Sequence, residues 1–419
     1  MMLESWVERL WNTTASPEVI QLHMQDTLAA FVVGLRTQDG QALARRYRGR
    51  AGDFSAAATA ISRLSECDDI HLGSCVTAGS IAIPVALGLA KNRSEGEVHR
   101  AIAAGYAAGL GLGSAIGGIK ALASGVWPTL LAAPLMAAVT ASLLNRSNHE
   151  QFTNTIAHAL SGANGRVAQL VGTRWQLIAD AVTGGIRAAD AAGIGSHIGQ
   201  SLLSNDWLAA QAGHDDIDIS GLESPTASIS QVGFKPFPIA RQGGNAVIAF
   251  QRVLSRGLDP SRIATIEVYV PPLNSALLRR PVVDGDRLSR LANLGFQLAC
   301  AGLAPEMLRD PERSGPHMRL IEFAQRVSVN TTSDFESVMP ERWPARVVVS
   351  AGKERFEETV THAPFDHDAP DLPAFLAAKW SRLLTVEDAA FIAPTAERYS
   401  ALWQAIERRL TIAAENTEG

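Results

Sequence analysis

The sequence predicts a mainly α-helical protein, with a large all-helical domain and a smaller α+β domain. Residues before about 230 repeat apolar side chains at helical spacing, strand-like alternation begins only after Gly233, and helical periodicity returns near the C-terminus. The boundaries this implies are 1–240 for the helical domain, with 390–419 folding back onto it, and 241–389 for the α+β domain. At 419 residues the chain has room for two or three folding units.

Ser16-Pro17 supplies an N-cap with proline at the first helical position, and Val19, Leu22, Thr27, Leu28 and Phe31 follow on one broad face. Ser94 with Glu97, and Ser147 with Glu150, have capping-box spacing and start two further helices. Residues 101–119 and 121–145 carry no charge and are long enough to span a membrane. They consist largely of Ala, Gly, Ser and Thr, which gain little on leaving water, so they read as buried helices rather than membrane spans. Gly117-Gly118 and the stretch from Gly125 to Pro128 are their breaks.

Beyond Gly233, Lys235-Pro236-Phe237-Pro238 interrupts the helical pattern, and Gln242-Gly243-Gly244 forms a loop before an apolar helix over 245–254. Strands are expected at 263–270, 326–330, 346–350 and 354–362. The last two form a hairpin with Val347, Val349, Phe356 and Val360 facing inward. Helices return at 372–384 and 395–412.

Lys and Arg total 37 against 42 Asp and Glu, so no basic excess exists for nucleic acid. The cysteines Cys67, Cys75 and Cys300 show no CxxC spacing, and HExxH is absent; no disulfide framework or metal site is expected. The N-terminus carries Glu4, Glu8 and Arg9 and lacks an apolar signal stretch, which fits a reducing cytoplasm.

Several residues can carry chemistry. In Ser65-Glu66-Cys67-Asp68-Asp69-Ile70-His71, adjacent carboxylates and a histidine can share protons in an enclosed site; equally, the segment reads as a solvated loop whose Asp69 or Ser74 caps the next helix. Lys235, held in a stiff proline-flanked segment, reads either as an anion-binding ammonium or as an exposed loop lysine. Arg174 reads as a carboxylate fork or as a surface or capping arginine. Gly109 to Gly113 and Gly193-Ile194-Gly195 follow no strand and lack GK[ST], so they are helix-packing glycines.

Taken in order, these segments resemble the MmgE/PrpD family, which includes 2-methylcitrate dehydratase, cis-aconitate decarboxylase and iminodisuccinate epimerase. Glu66-Cys67-Asp68-Asp69-Ile70-His71 is similar to the family's D-F-D-D-T-H. Thr77-Ala78-Gly79 stands where the family has H-P-G, before an apolar helix containing Pro84. Gly125-Val126-Trp127-Pro128-Thr129 resembles G-x-H-P-T, and Arg174-Trp175-Gln176-Leu177 falls at a K-R-x-H type segment. Phe234-Lys235-Pro236-Phe237-Pro238, followed by Arg241, resembles F-K-P-Y-P and its downstream arginine.

The resemblance implies a cytoplasmic homodimer, with the active site in a cleft between a helical and a lid domain. It implies action on a small carboxylate-bearing molecule, without metal or cofactor, by proton transfer at carbon next to a carboxylate. Asp68, Asp69, His71 and Lys235 would be catalytic; Arg174, Arg241, Thr77, Trp127 and Thr129 would bind substrate. The uncharged helices between Ala101 and Leu144 add a second ground for dimerisation, because such a surface must be hidden. Thr77, Trp127 and Leu177 stand at family histidine positions, and Gly244 where a histidine often follows F-K-P-Y-P, so a diverged substrate is expected. The alternative is a member that has kept the fold as a non-catalytic or cyclisation scaffold.

Overall fold

A computed structural model describes residues 2–166, 173–193, 202–223, 228–314, 317–393 and 399–415. The chain divides into two compact units, Met1–Gly233 with Leu384–Gly419, and Phe234–Leu383. These limits differ by several residues from the expected 240 and 390. Phe234 donates its N–H to Phe365 O and Arg241 pairs with Asp366, which attaches 234–241 to the second unit. The helix Val386–Ile392 is attached to the first, where Arg36 and Arg409 both meet Asp388.

In the first unit the helix Pro128–Leu144 packs between Glu95–Ala115 and Arg174–Asp190. A Cβ on Gly109 would stand 2.3 Å from Met136 Sδ, so the glycine-rich face of Glu95–Ala115 sets close helix packing, as expected. Of the other glycine run, residues 194 and 195 lie outside the described residues. Phe54–Leu64 and Pro17–Leu35 pack together and carry two of the side chains on which the candidate site depends.

Caps explain several helix starts. Ser16 accepts from Val19 N, and Ser94 and Glu97 form the expected capping box. The helix expected from Ser147 begins one residue later: Asn148 and Gln151 form the box of His149–Ser161. Asparagine and glutamine satisfy the same two backbone groups as serine and glutamate, so either register fits the sequence. The helix expected from 395 is described from Tyr399, because 394–398 lie outside the described residues.

The long uncharged stretches are broken where glycines predicted: helices Glu95–Ala115, Ile119–Ala123 and Pro128–Leu144 replace two continuous spans. Among the described residues no helix is long and apolar enough to cross a membrane. Their apolar side chains, including Ile102, Leu112, Leu131 and Met136, are already buried within the chain. The expectation that this surface must be hidden by a second copy is therefore corrected, since the unit's own helices cover it.

Among the described residues the strands lie in the second unit. β1 (Thr265–Val270), β2 (Val327–Thr331), β3 (Ala345–Ala351) and β4 (Glu354–Val360) form a sheet in the order β2-β1-β3-β4. β1 runs parallel to β2 and antiparallel to β3, and β3–β4 is the expected hairpin. Val347, Val349 and Val360 are buried as predicted, whereas Phe356 is half-buried. The helix Gly244–Leu254 packs on β3 and β4.

Candidate active site

The loop between Phe54–Leu64 and Gly79–Gly88 presents Asp68 and Asp69 as neighbours, and both are 0% exposed. Removing two carboxylates from water requires compensating donors or charges, and the two obtain them differently. Asp69 Oδ2 accepts from Tyr106 OH at 2.6 Å and His23 Nδ1 at 2.8 Å, and Asp69 Oδ1 accepts the Gly79 N–H at 2.9 Å. The last bond caps the helix Gly79–Gly88, as the loop reading anticipated. Burial, and then the neighbouring Asp69 charge, pushes the Tyr106 hydroxyl well above its usual pKa.

Asp68 faces a cation. Arg63 Nη1 lies 3.5 Å from Asp68 Oδ1 and 3.1 Å from Glu66 Oε2. Burial lowers the Arg63 pKa, but Asp68 and Glu66 more than offset this, and the guanidinium stays firmly charged. Arg63 also lies 5.4 Å from the Trp127 ring centroid and 5.7 Å from that of Trp175. Arg174 shares both rings, at 4.7 and 4.9 Å, and the indoles meet edge to face at 6.0 Å. Trp127 thus lies against two guanidiniums.

Thr77 and Thr129 come together. Thr129 Oγ1 accepts the Thr77 N–H at 3.2 Å and donates to Cys75 O at 3.4 Å. This tie joins the starts of Gly79–Gly88 and Pro128–Leu144. His71 turns onto its own loop, where Nδ1 accepts the Ser74 N–H at 3.1 Å and lies 2.9 Å from Ser74 Oγ. In the neutral ring the proton therefore sits on Nε2. The histidine that meets Asp69 is His23, from another helix.

The second unit holds Lys235 and Arg241. Lys235 is 1% exposed, which removes the reading of a solvated loop lysine. Arg241 is committed internally: Nη2 bonds Asp366 Oδ1 at 2.5 Å, Nη1 bonds Asn245 Oδ1 at 2.9 Å, and the group stacks on Phe365 at 4.5 Å. These bonds hold 363–366 against Gly244–Leu254. A cavity of about 360 Å³ in this unit, walled by Leu278, Phe296, Ile321, Val327 and Val329, contains none of the expected site residues.

Four contributors escaped sequence reading: His23, Arg63, Tyr106 and Trp175. Arg63 stands three residues before Glu66, a spacing that signals a pair only once burial is known. His23 is 46 residues from Asp69, and no local pattern joins them. Among the described residues no group of three or more His, Cys, Asp or Glu side chains is placed to hold a metal ion.

Residues 37–216 match the MmgE/PrpD N-terminal domain. That segment carries Asp68, Asp69, His71, Thr77, Trp127, Thr129 and Arg174. No curated protein matches the chain.

Proposed function

The chain belongs to the MmgE/PrpD family, through its N-terminal domain, and from that premise we propose that it is a cofactor-independent lyase or isomerase. Its reaction is proton transfer at carbon next to a carboxylate of a small di- or tricarboxylate-like metabolite. The observation that carries this reading is the wholly buried carboxylate of Asp68, held in a locality with two guanidiniums and two indoles. Buried ionisable groups are costly, and their concentration at one locality makes it a functional-site candidate.

In this mechanism Arg174 grips a substrate carboxylate with its planar fork and stabilises charge that develops when the adjacent carbon loses its proton. Thr77 and Thr129 offer short polar contacts, and Trp127 limits the space for the rest of the molecule. Asp68, His71 and Lys235 move the proton. A homodimer is part of the proposal on family resemblance alone, and light scattering should return twice 44.6 kDa.

The test is incubation with a panel of small di- and tricarboxylates in deuterated water, followed by NMR. The proposal expects deuterium next to a carboxylate of at least one substrate, and no incorporation with a folded Lys235→Met variant. Full incorporation by Lys235→Met and by Asp68→Asn would overturn the acid–base assignment.

A second reading has one observation in its favour. Threonine and tryptophan occupy Thr77 and Trp127, and neither side chain carries protons near neutral pH. On that reading the site binds and shapes an anion without exchanging its protons, so binding without deuterium incorporation would select it.

A further inference from the structure

We propose that His23 and Tyr106 are positioning residues which lock Asp69 as an anchor, leaving the chemistry of the loop to its neighbours. Both oxygens of Asp69 are engaged: Oδ2 by two side-chain donors and Oδ1 by the Gly79 N–H. A proton carrier needs an oxygen directed at the reacting carbon. Asp69 instead directs its oxygens at three helices: His23 comes from Pro17–Leu35, Tyr106 from Glu95–Ala115, and Gly79 begins Gly79–Gly88.

The junction is tight enough to demand glycine. A Cβ on Gly79 would stand 2.5 Å from Thr27 Oγ1, 2.6 Å from Tyr106 OH and 2.7 Å from Asp69 Oδ2. No side chain can enter without displacing a member of the lock. The His23 and Tyr106 rings also meet edge to face at 5.4 Å, so the two donors brace each other.

What the lock positions follows from connectivity. Asp69 adjoins Asp68, and Gly79 lies two residues after Thr77, whose N–H is held by Thr129. Fixing Asp69 to Gly79 closes the intervening segment into a loop that contains His71 and fixes both ends of it. Asp68 is thereby presented to Arg63, and Thr77 to Thr129. Asp69 then acts through these residues and touches no substrate itself. This assignment rests on the reading of Asp68 and His71 as proton carriers, but the lock can be tested without any substrate.

The experiment measures amide hydrogen exchange at Gly79 in the full chain, comparing wild type with Tyr106→Phe, His23→Gln and a control, Tyr399→Phe, which removes a hydroxyl bonded to His99. Hydrogen bonds to charged groups carry enough energy that Gly79 should exchange about tenfold faster or more in both lock variants and unchanged in the control. If Tyr106→Phe fails to fold, His23→Gln carries the test alone. Unchanged protection at Gly79 in the lock variants overturns the proposal.

A second arm uses deuterium incorporation on the substrate panel. Tyr106→Phe should lower kcat several-fold with KM within about twofold and without shifting the pH–rate profile, as expected when a group orients the loop rather than carrying the proton. A shifted profile would contradict the positioning role. Absence of exchange in wild type sinks the proposed reaction and leaves the Gly79 result standing.

Discussion

The two sides of the Asp68-Asp69 dipeptide present opposite solutions to one problem. Asp69 is neutralised by hydrogen bonds from a histidine, a tyrosine and a helix N-terminus, all fixed in the packed core. Asp68 is neutralised by Arg63, which is itself held on Trp127 and Trp175 beside a second cation, Arg174. The Asp69 side is a set of directed hydrogen bonds, whereas the Asp68 side is an ion pair shared with Glu66 and stacked on two indole rings. The difference teaches that adjacent residues in one motif can be held by different elements, and on the proposed reading this divides structure from chemistry.

The largest expected effect breaks the Asp68 side. Arg63→Met would leave Glu66 and Asp68 buried without their common cation and should destabilise the protein by about 3–5 kcal/mol, read by urea denaturation. A loss below about 1 kcal/mol would show that Arg63 does not hold this side together. On the other side, Gly79→Ala forces a methyl among three oxygens and should cost about 1–3 kcal/mol, with Thr27→Ala in the same chain recovering part of it.

Alkaline titration sharpens the contrast. Burial, followed by Asp69, raises the Tyr106 pKa in the folded protein, while in the unfolded chain it ionises near its ordinary value of about 10. The resulting stability is full below pH ~10 and is lost as pH rises beyond it. Tyrosine absorbance near alkaline unfolding should therefore contain a component coincident with loss of structure that is missing in Tyr106→Phe. A Tyr106 that titrates freely in the folded state would contradict the lock.

The smallest effect serves as a control outside both sides. The Arg146 side chain, followed by the Ser94 cap, holds the Glu97 carboxyl down at about 2. Because this pKa is depressed, its contribution is present above the usual value near 4.3 and is lost as pH falls through the window to about 2. Glu97→Gln should flatten only that part of the acid stability profile, by a small amount because the pair is exposed.

Much of the fold could be read from the chain because its signals are local. Ser94 with Glu97, the breaks at Gly117-Gly118 and Gly125, and the alternation in 346–360 each depend on residues within a few positions of one another. The site was legible only where motif and contact coincide, as at Thr77 with Thr129 and Trp127 with Arg174. Arg174 and Arg241 both entered as substrate-binding cations. Arg241 meets Asp366, which lies 125 residues beyond it, a partner no local pattern marks. His23 and Tyr106 were hidden for the same reason: no periodicity marks which polar residue on a buried helix will meet a carboxylate from another.

The division of labour is tested most directly by comparing Asp68→Asn with Asp69→Asn for thermal unfolding and for deuterium incorporation on the same carboxylate panel. The account predicts that Asp68→Asn abolishes incorporation in a folded protein. Asp69→Asn should lower the melting temperature and loosen Gly79 while retaining measurable incorporation. An Asp69→Asn protein as stable as wild type but inert, beside an active Asp68→Asn, would contradict it.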